Sequence, residues 1–123
     1  MKRFTRMLDA ANDRLAREKD ASESALENGL LSDSHVTELT YARKLVEHFT
    51  TLVNAVESFS KDYDEQGVAL ALLRWALPSF TRELLSDADR TGAAAAGERK
   101  AASHVADVLV TAINETLSRP QYN

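Results

Sequence analysis

The sequence predicts an all-α protein: a single-domain antiparallel bundle of four main helices, with the third kinked or broken at Pro78. Three observations carry this expectation. Ala, Leu, Glu and Arg abound while Gly and Pro number four and two, a composition that favours helix over turn and strand. Apolar residues recur at three- and four-residue spacing through four long stretches. A chain of 123 residues matches one domain and buries roughly two-thirds of its unfolded surface, so residues 1–123 are expected to share one core.

The first helix is expected over about Arg3 to Glu27, with Phe4, Met7, Leu8, Ala11, Leu15, Ala25 and Leu26 on one side. Asn28-Gly29 stops it, since this pair readily adopts a left-handed C-cap. Leu30 to Ser34 then reads as a loop. Asp33 or Ser34 is expected to cap the second helix, with Glu38 near its positive end. There Leu39, Ala42, Val46, Phe49, Val53 and Val56 form one ridge and Leu45, Leu52 and Phe59 a second. Thr37, Thr40, Lys44, Glu47, Thr51, Asn54 and Ser58 make the opposite, solvated face.

Ser60 to Asp64 reads as a turn, with Asp62 and Glu65 in capping-box spacing before a third helix from about Glu65. Pro78 lacks a backbone donor, hence the expected kink or restart, after which Phe80, Leu84 and Leu85 continue the helix to about Asp87. Residues 87–97 read as a flexible connector or frayed helix start, because Gly92 and Gly97 oppose the helical preference of the alanines between them. A last helix, from about Glu98 to Ser118, buries Ala102, Val105, Leu109, Ala112, Ile113 and Leu117 before Pro120.

The third helix is apolar on two sides. Leu70, Leu73, Leu77, Phe80 and Leu84 form one stripe; Val68, Ala71, Leu72 and Trp75 form another, with Arg74 the one charge between Val68 and Phe80. A helix apolar all round must be enclosed, by its own chain or by another. The sequence therefore reads as a non-enzymatic protein–protein interaction module: an adaptor, assembly or regulatory subunit. It is expected to self-associate, or to bind another protein, through Val68, Ala71, Leu72, Arg74 and Trp75.

A second reading is contact with nucleic acid, or with an acidic partner, through Arg3, Arg6, Arg14 and Arg17, which fall within an arc of about 80°. Against it stand a net charge of −4, the absence of interleaved aromatics, and Asp13 and Glu18 spaced to pair with Arg17 and Arg14 along the helix.

Chemistry finds little purchase. The chain has no cysteine, which fits a reducing cytoplasm and removes thiolates and disulfides. His35, His48 and His104 read as surface residues, His104 on a polar face with Lys100, Asp107 and Thr111. No Glu-x-x-His occurs, so a di-metal bundle site is not expected, and no histidine precedes Lys and Gly at the spacing of phosphotransfer bundles. There is no nucleophile elbow and no phosphate loop, and the Asp62/Asp64 and Asp87/Asp89 pairs fall in turns. No cofactor or metal is implied. The longest apolar run, Val68 to Leu73, is far short of a membrane span, and acids nearly cancel the basic face of residues 2–17.

Overall fold

The computed structural model describes residues 1–86 and 90–119, and the side chains of all of these except 84–86. Leu84 and Leu85 as core residues, the Asp87/Asp89 pair and the closing role of Pro120 lie outside the described side chains or residues. Four helices make up the fold: α1 (Lys2–Glu27), α2 (Asp33–Phe59), α3 (Glu65–Ser86) and α4 (Ala93–Ser118). They form the expected all-helical bundle.

The ends of the helices follow local chemistry. At the end of α1, Gly29 adopts a left-handed φ of 68°, Gly29 N–H donates to Leu26 O, and Leu30 N–H donates to Ala25 O at 2.7 Å. This pair of bonds is the Schellman arrangement, and it satisfies carbonyls that the helix itself leaves free. The cap of α2 is Ser32, not Asp33 or Ser34. Its N–H donates to His35 Nδ1 at 3.1 Å, and its Oγ lies 2.9 Å from the same nitrogen. The cap of α3 is Asp64 rather than Asp62: its Oδ1 accepts from Gly67 N–H at 2.8 Å, while its carbonyl accepts from Val68.

Helix α3 runs unbroken through Pro78. In its second half, Ser79 Oγ donates to Trp75 O and Thr81 Oγ1 to Leu77 O. Of the expected connector, residues 93–97 are already helical, with Gly92, at φ 104°, the N-cap of α4, while residues 87–89 lie outside the described residues.

One core draws on all four helices, through Phe4 and Ala11, Tyr41, Phe49 and Leu52, Val68, Leu72 and Phe80, and Val105, Leu109 and Ile113. Its axis is the α2–α4 pair, with α1 laid mainly on α2 and α3 mainly on α4. Contacts fix the directions. Thr37, early in α2, donates to Ala93 O at the start of α4, so these two helices run parallel. Arg3 pairs with Glu115, and Glu65 with Arg119 at 3.0 Å, so α1 and α3 each run antiparallel to α4.

In an ordinary up-down bundle α2 and α4 would be diagonal and apart. Gly97 brings them together. A Cβ at this position would lie 2.5 Å from Thr37 O and 2.9 Å from Thr40 Cβ. The Thr37/Thr40 face of α2, expected to be solvated, therefore packs against α4, and the glycine expected to weaken α4 is where the two backbones meet.

Candidate interaction surfaces

The described residues present three surfaces of chemical interest: the outer side of α3, a groove between α1 and α4, and the tip where α1 turns into α2.

On α3 the two predicted stripes are redistributed. Val68, Ala69, Ala71 and Leu72 are buried in the chain's own core, so Val68, Ala71 and Leu72 are corrected from docking residues to core residues. Of the five predicted contact residues, Arg74 and Trp75 remain exposed, Trp75 at 71%. The solvent side also carries Leu70 and Leu73, each 40% exposed, with Leu77 half-buried. Leu70, Leu73 and Leu77 keep a three-then-four spacing along one edge. Trp75 stands on the other edge, and Arg74 lies between them by helical phase. The stripes were mis-phased because a helix apolar all round carries no internal signal of which side faces home. The buried face also turns along α3, from Val68 and Leu72 to Phe80.

The second surface gathers the four arginines. Two adjoining hollows of about 440 and 290 Å³ share Met7 and His104 and run between α1 and α4 over a floor from α2. Arg3 and Arg6 line the first and Arg14 and Arg17 the second, so the structure brings all four predicted arginines to one groove. Their pairing differs from expectation. Arg14 bonds to Glu38 Oε2 at 2.7 Å instead of Glu18, and Arg3 pairs with Glu115 across to α4. Arg6 and Arg17 are exposed and have no ion pair among the described residues.

Midway along this groove stands Tyr41, which the sequence reading passed over. Arg14 lies 4.8 Å from its ring centroid and Lys100 4.4 Å, while both cations bond to Glu38. These hydrogen bonds, from Lys100 foremost and then Arg14, hold the Glu38 carboxyl below the ordinary carboxylate range although partial burial opposes them. A ring held between two cations that share one carboxylate ties α1, α2 and α4 together. No spacing rule reveals it, because Arg14, Glu38 and Lys100 are remote in sequence.

None of the histidines is a free surface residue. His35 helps cap α2, and His104 sits half-buried with its ring centroid 6.4 Å from those of both Tyr41 and Phe49 in edge-on contacts. His48 packs edge-on against Phe80 at 5.0 Å, and its buried Nε2 makes no hydrogen bond. Among the described residues no three His, Asp or Glu side chains converge as metal ligands, and no helix is long and apolar enough to cross a membrane.

The third surface is the tip. Leu26 and Leu30 are 64% and 69% exposed, Leu31 and Val36 less so, and Leu26, Leu31 and Val36 border an apolar crevice of about 190 Å³. Leu26, expected in the core, faces solvent instead, and its neighbour Ala25 takes the buried position in the last turn of α1. Adjacent leucines in a loop were the available signal for this patch.

With these surfaces defined, comparison with known proteins adds no further constraint: no family model, curated protein or solved structure matches the chain.

Proposed function

We propose that this protein is a non-enzymatic protein–protein interaction module, an assembly or regulatory subunit that self-associates through the outer side of α3. The observation that carries this reading is the exposure of Leu70 and Leu73 at 40% each, in three-four register with Leu77; Trp75, 71% exposed, stands about 150° further round the helix. Isolated exposed leucines are ordinary; a helical row of them is the pattern of an interface, and an exposed tryptophan on the far edge widens the surface a partner could cover. Three-four register is also the seam by which helices pack on one another. Arg74, between the two apolar edges, is placed to fix orientation.

The reading rests on different residues from those the sequence nominated. Arg74 and Trp75 are retained, and Leu70, Leu73 and Leu77 take the place of Val68, Ala71 and Leu72. The nucleic-acid alternative loses support, because Arg3 and Arg14 are engaged with Glu115 and Glu38.

The test is solution mass by size exclusion with light scattering, on the wild-type chain and on Leu73→Glu and Trp75→Glu. Both side chains are exposed, so the variants keep their helicity. The expected result is an oligomer whose mass falls in Leu73→Glu and Trp75→Glu at low and at high salt alike. A mass unchanged by either substitution removes α3 as the contact.

A further inference from the structure

The groove between α1 and α4 and the tip of the α1–α2 hairpin are opposite in charge and alike in apolar character. The residues lining the two hollows of the groove include four arginines and a single acid, Asp107, in a chain whose net charge is −4. Arg6 and Arg17 have no ion pair among the described residues, and Arg14 Nε is buried in the wall without a hydrogen-bond partner. Between these guanidinium groups lie the partly buried apolar side chains of Met7 and Val108. Eleven residues separate Arg6 from Arg17, about 16 Å along the helix axis.

The tip has the complementary composition. Residues 20–37 contain Asp20, Glu23, Glu27 and Asp33 and no lysine or arginine. Glu23, Glu27 and Asp33 are exposed and form no ion pair among the described residues. They surround Leu26, Leu30 and Leu31, three of the most exposed apolar side chains of the described structure. The loop at its apex exposes both Leu30 and Leu31 and is held by the Schellman bonds at Gly29 and Leu30.

We propose that the groove receives the acidic leucine tip of a second copy of this chain, giving a head-to-tail contact separate from the α3 face. The tip leucines seat against Met7 and Val108, while the acids around them, Glu23, Glu27 and Asp33, face the arginine rim. The two patches are different surfaces of one molecule, so the contact is heterologous. Each protomer keeps a free tip at one end and a free groove at the other, and the array extends into a ring or a filament. Charge pairs at the rim make its formation steeply dependent on salt, whereas an apolar α3 contact is not.

The experiment is a charge-reversal complementation read by light scattering, in the Trp75→Glu background so that the α3 contact is silent. Arg6→Glu/Arg17→Glu disables the groove and keeps the tip; Glu23→Arg/Glu27→Arg disables the tip and keeps the groove. All four side chains are exposed except for partial contacts, and circular dichroism checks that each variant stays folded. The parent chain is expected to show a mass that rises with concentration at low salt and falls to monomer at roughly 0.5 M salt, where screening acts within about 4 Å. Each double variant alone stays monomeric, and an equimolar mixture regains association with the two variants alternating, because the reversed tip complements the reversed groove as the native tip does the native groove. A parent chain that is monomeric at low salt, a mass indifferent to salt and charge reversal, or a mixture that fails to pair overturns the proposal. So does a monomeric chain in which laurate shifts the Met7 methyl and His104 resonances, which assigns the groove to a small anionic amphiphile instead.

Discussion

His48 of α2 faces Glu83 of α3, with Nε2 3.7 Å from Glu83 Oε1, and the imidazole stays neutral more readily than an ordinary histidine. Burial is the larger influence and pushes its pKa below the usual value; the Glu83 carboxylate pulls it back only in part, and Lys44 adds to the lowering. Glu47 acts in the same sense as Glu83.

A pH dependence follows, with its sign fixed. Above about 6.5 the residue is neutral whether the chain is folded or not. As pH falls from there towards the lowered folded value, the unfolded chain takes up a proton that the folded chain resists, and stability drops. His48→Phe keeps a ring against Phe80 and removes the titration. Its melting temperature is expected to fall less than that of the wild type between pH 7.5 and pH 5, measured by thermal circular dichroism.

Glu38 defines a second, more acidic window. Its carboxyl is held low by the bonds from Lys100 and Arg14, so the stability it confers is present above the usual carboxylate pKa and is lost as pH falls through the lowered folded value. Glu38→Gln is expected to lower stability at neutral pH and to flatten the wild-type decline below about pH 4.5. A melting curve series for Glu38→Gln that parallels the wild type throughout would show that the carboxylate is not what holds Arg14 and Lys100.

Gly97→Ala tests the close approach of α2 and α4. Alanine is the better helix former by about 1 kcal/mol, so a residue in an open helix would gain stability. Here the new methyl meets the Thr37 carbonyl, a backbone atom that cannot rotate away. The expected net effect is destabilisation by about 1–3 kcal/mol, measured by urea unfolding.

Leu72 and Trp75 lie three residues apart and should behave as opposites. Leu72 is fully buried, so Leu72→Ala is expected to cost about 2–5 kcal/mol of folding stability. Trp75→Ala, at an exposed position, should change the stability of the dilute chain by no more than about 0.5 kcal/mol. Comparable losses at the two sites would place Trp75 in the core.

The α3 cap offers a finer comparison. Asp64→Ala removes the acceptor for Gly67 N–H and is expected to cost about 1 kcal/mol, while Asp62→Ala should be nearly silent.

The helices were legible in the sequence wherever one local rule acted alone. Asn28-Gly29 stops α1 because a left-handed residue must follow the last turn, and the core of α2 draws on both expected ridges, Ala42 and Phe49 from one and Leu45 and Leu52 from the other, with Leu39, Val46, Val53, Val56 and Phe59 partly buried. Legibility failed where two rules competed. Asp33 and Ser34 were as good by type as Ser32 for the cap, and only the observed chain path selects Ser32 with His35. Gly97 was read for its cost to the helix, when its missing side chain is what lets α2 approach. The arginines illustrate a different loss: their common face was visible, but the partners Glu38 and Glu115 come from other helices and no intrahelical spacing points to them.

The lopsided support of α1 has a consequence for how the protein breathes. Most of α1 packs on α2, and its described ties to α4 are side-chain links, Arg3 to Glu115 near one end and Arg14 through Glu38 to Lys100 midway, whereas α2 and α4 are gripped from several sides. Amide protons along α1 should therefore exchange with solvent deuterium through partial openings, long before those of Phe49 or Val105, which wait for the whole chain to unfold. The outermost helix is thus a leaf that lifts while the spine stays closed.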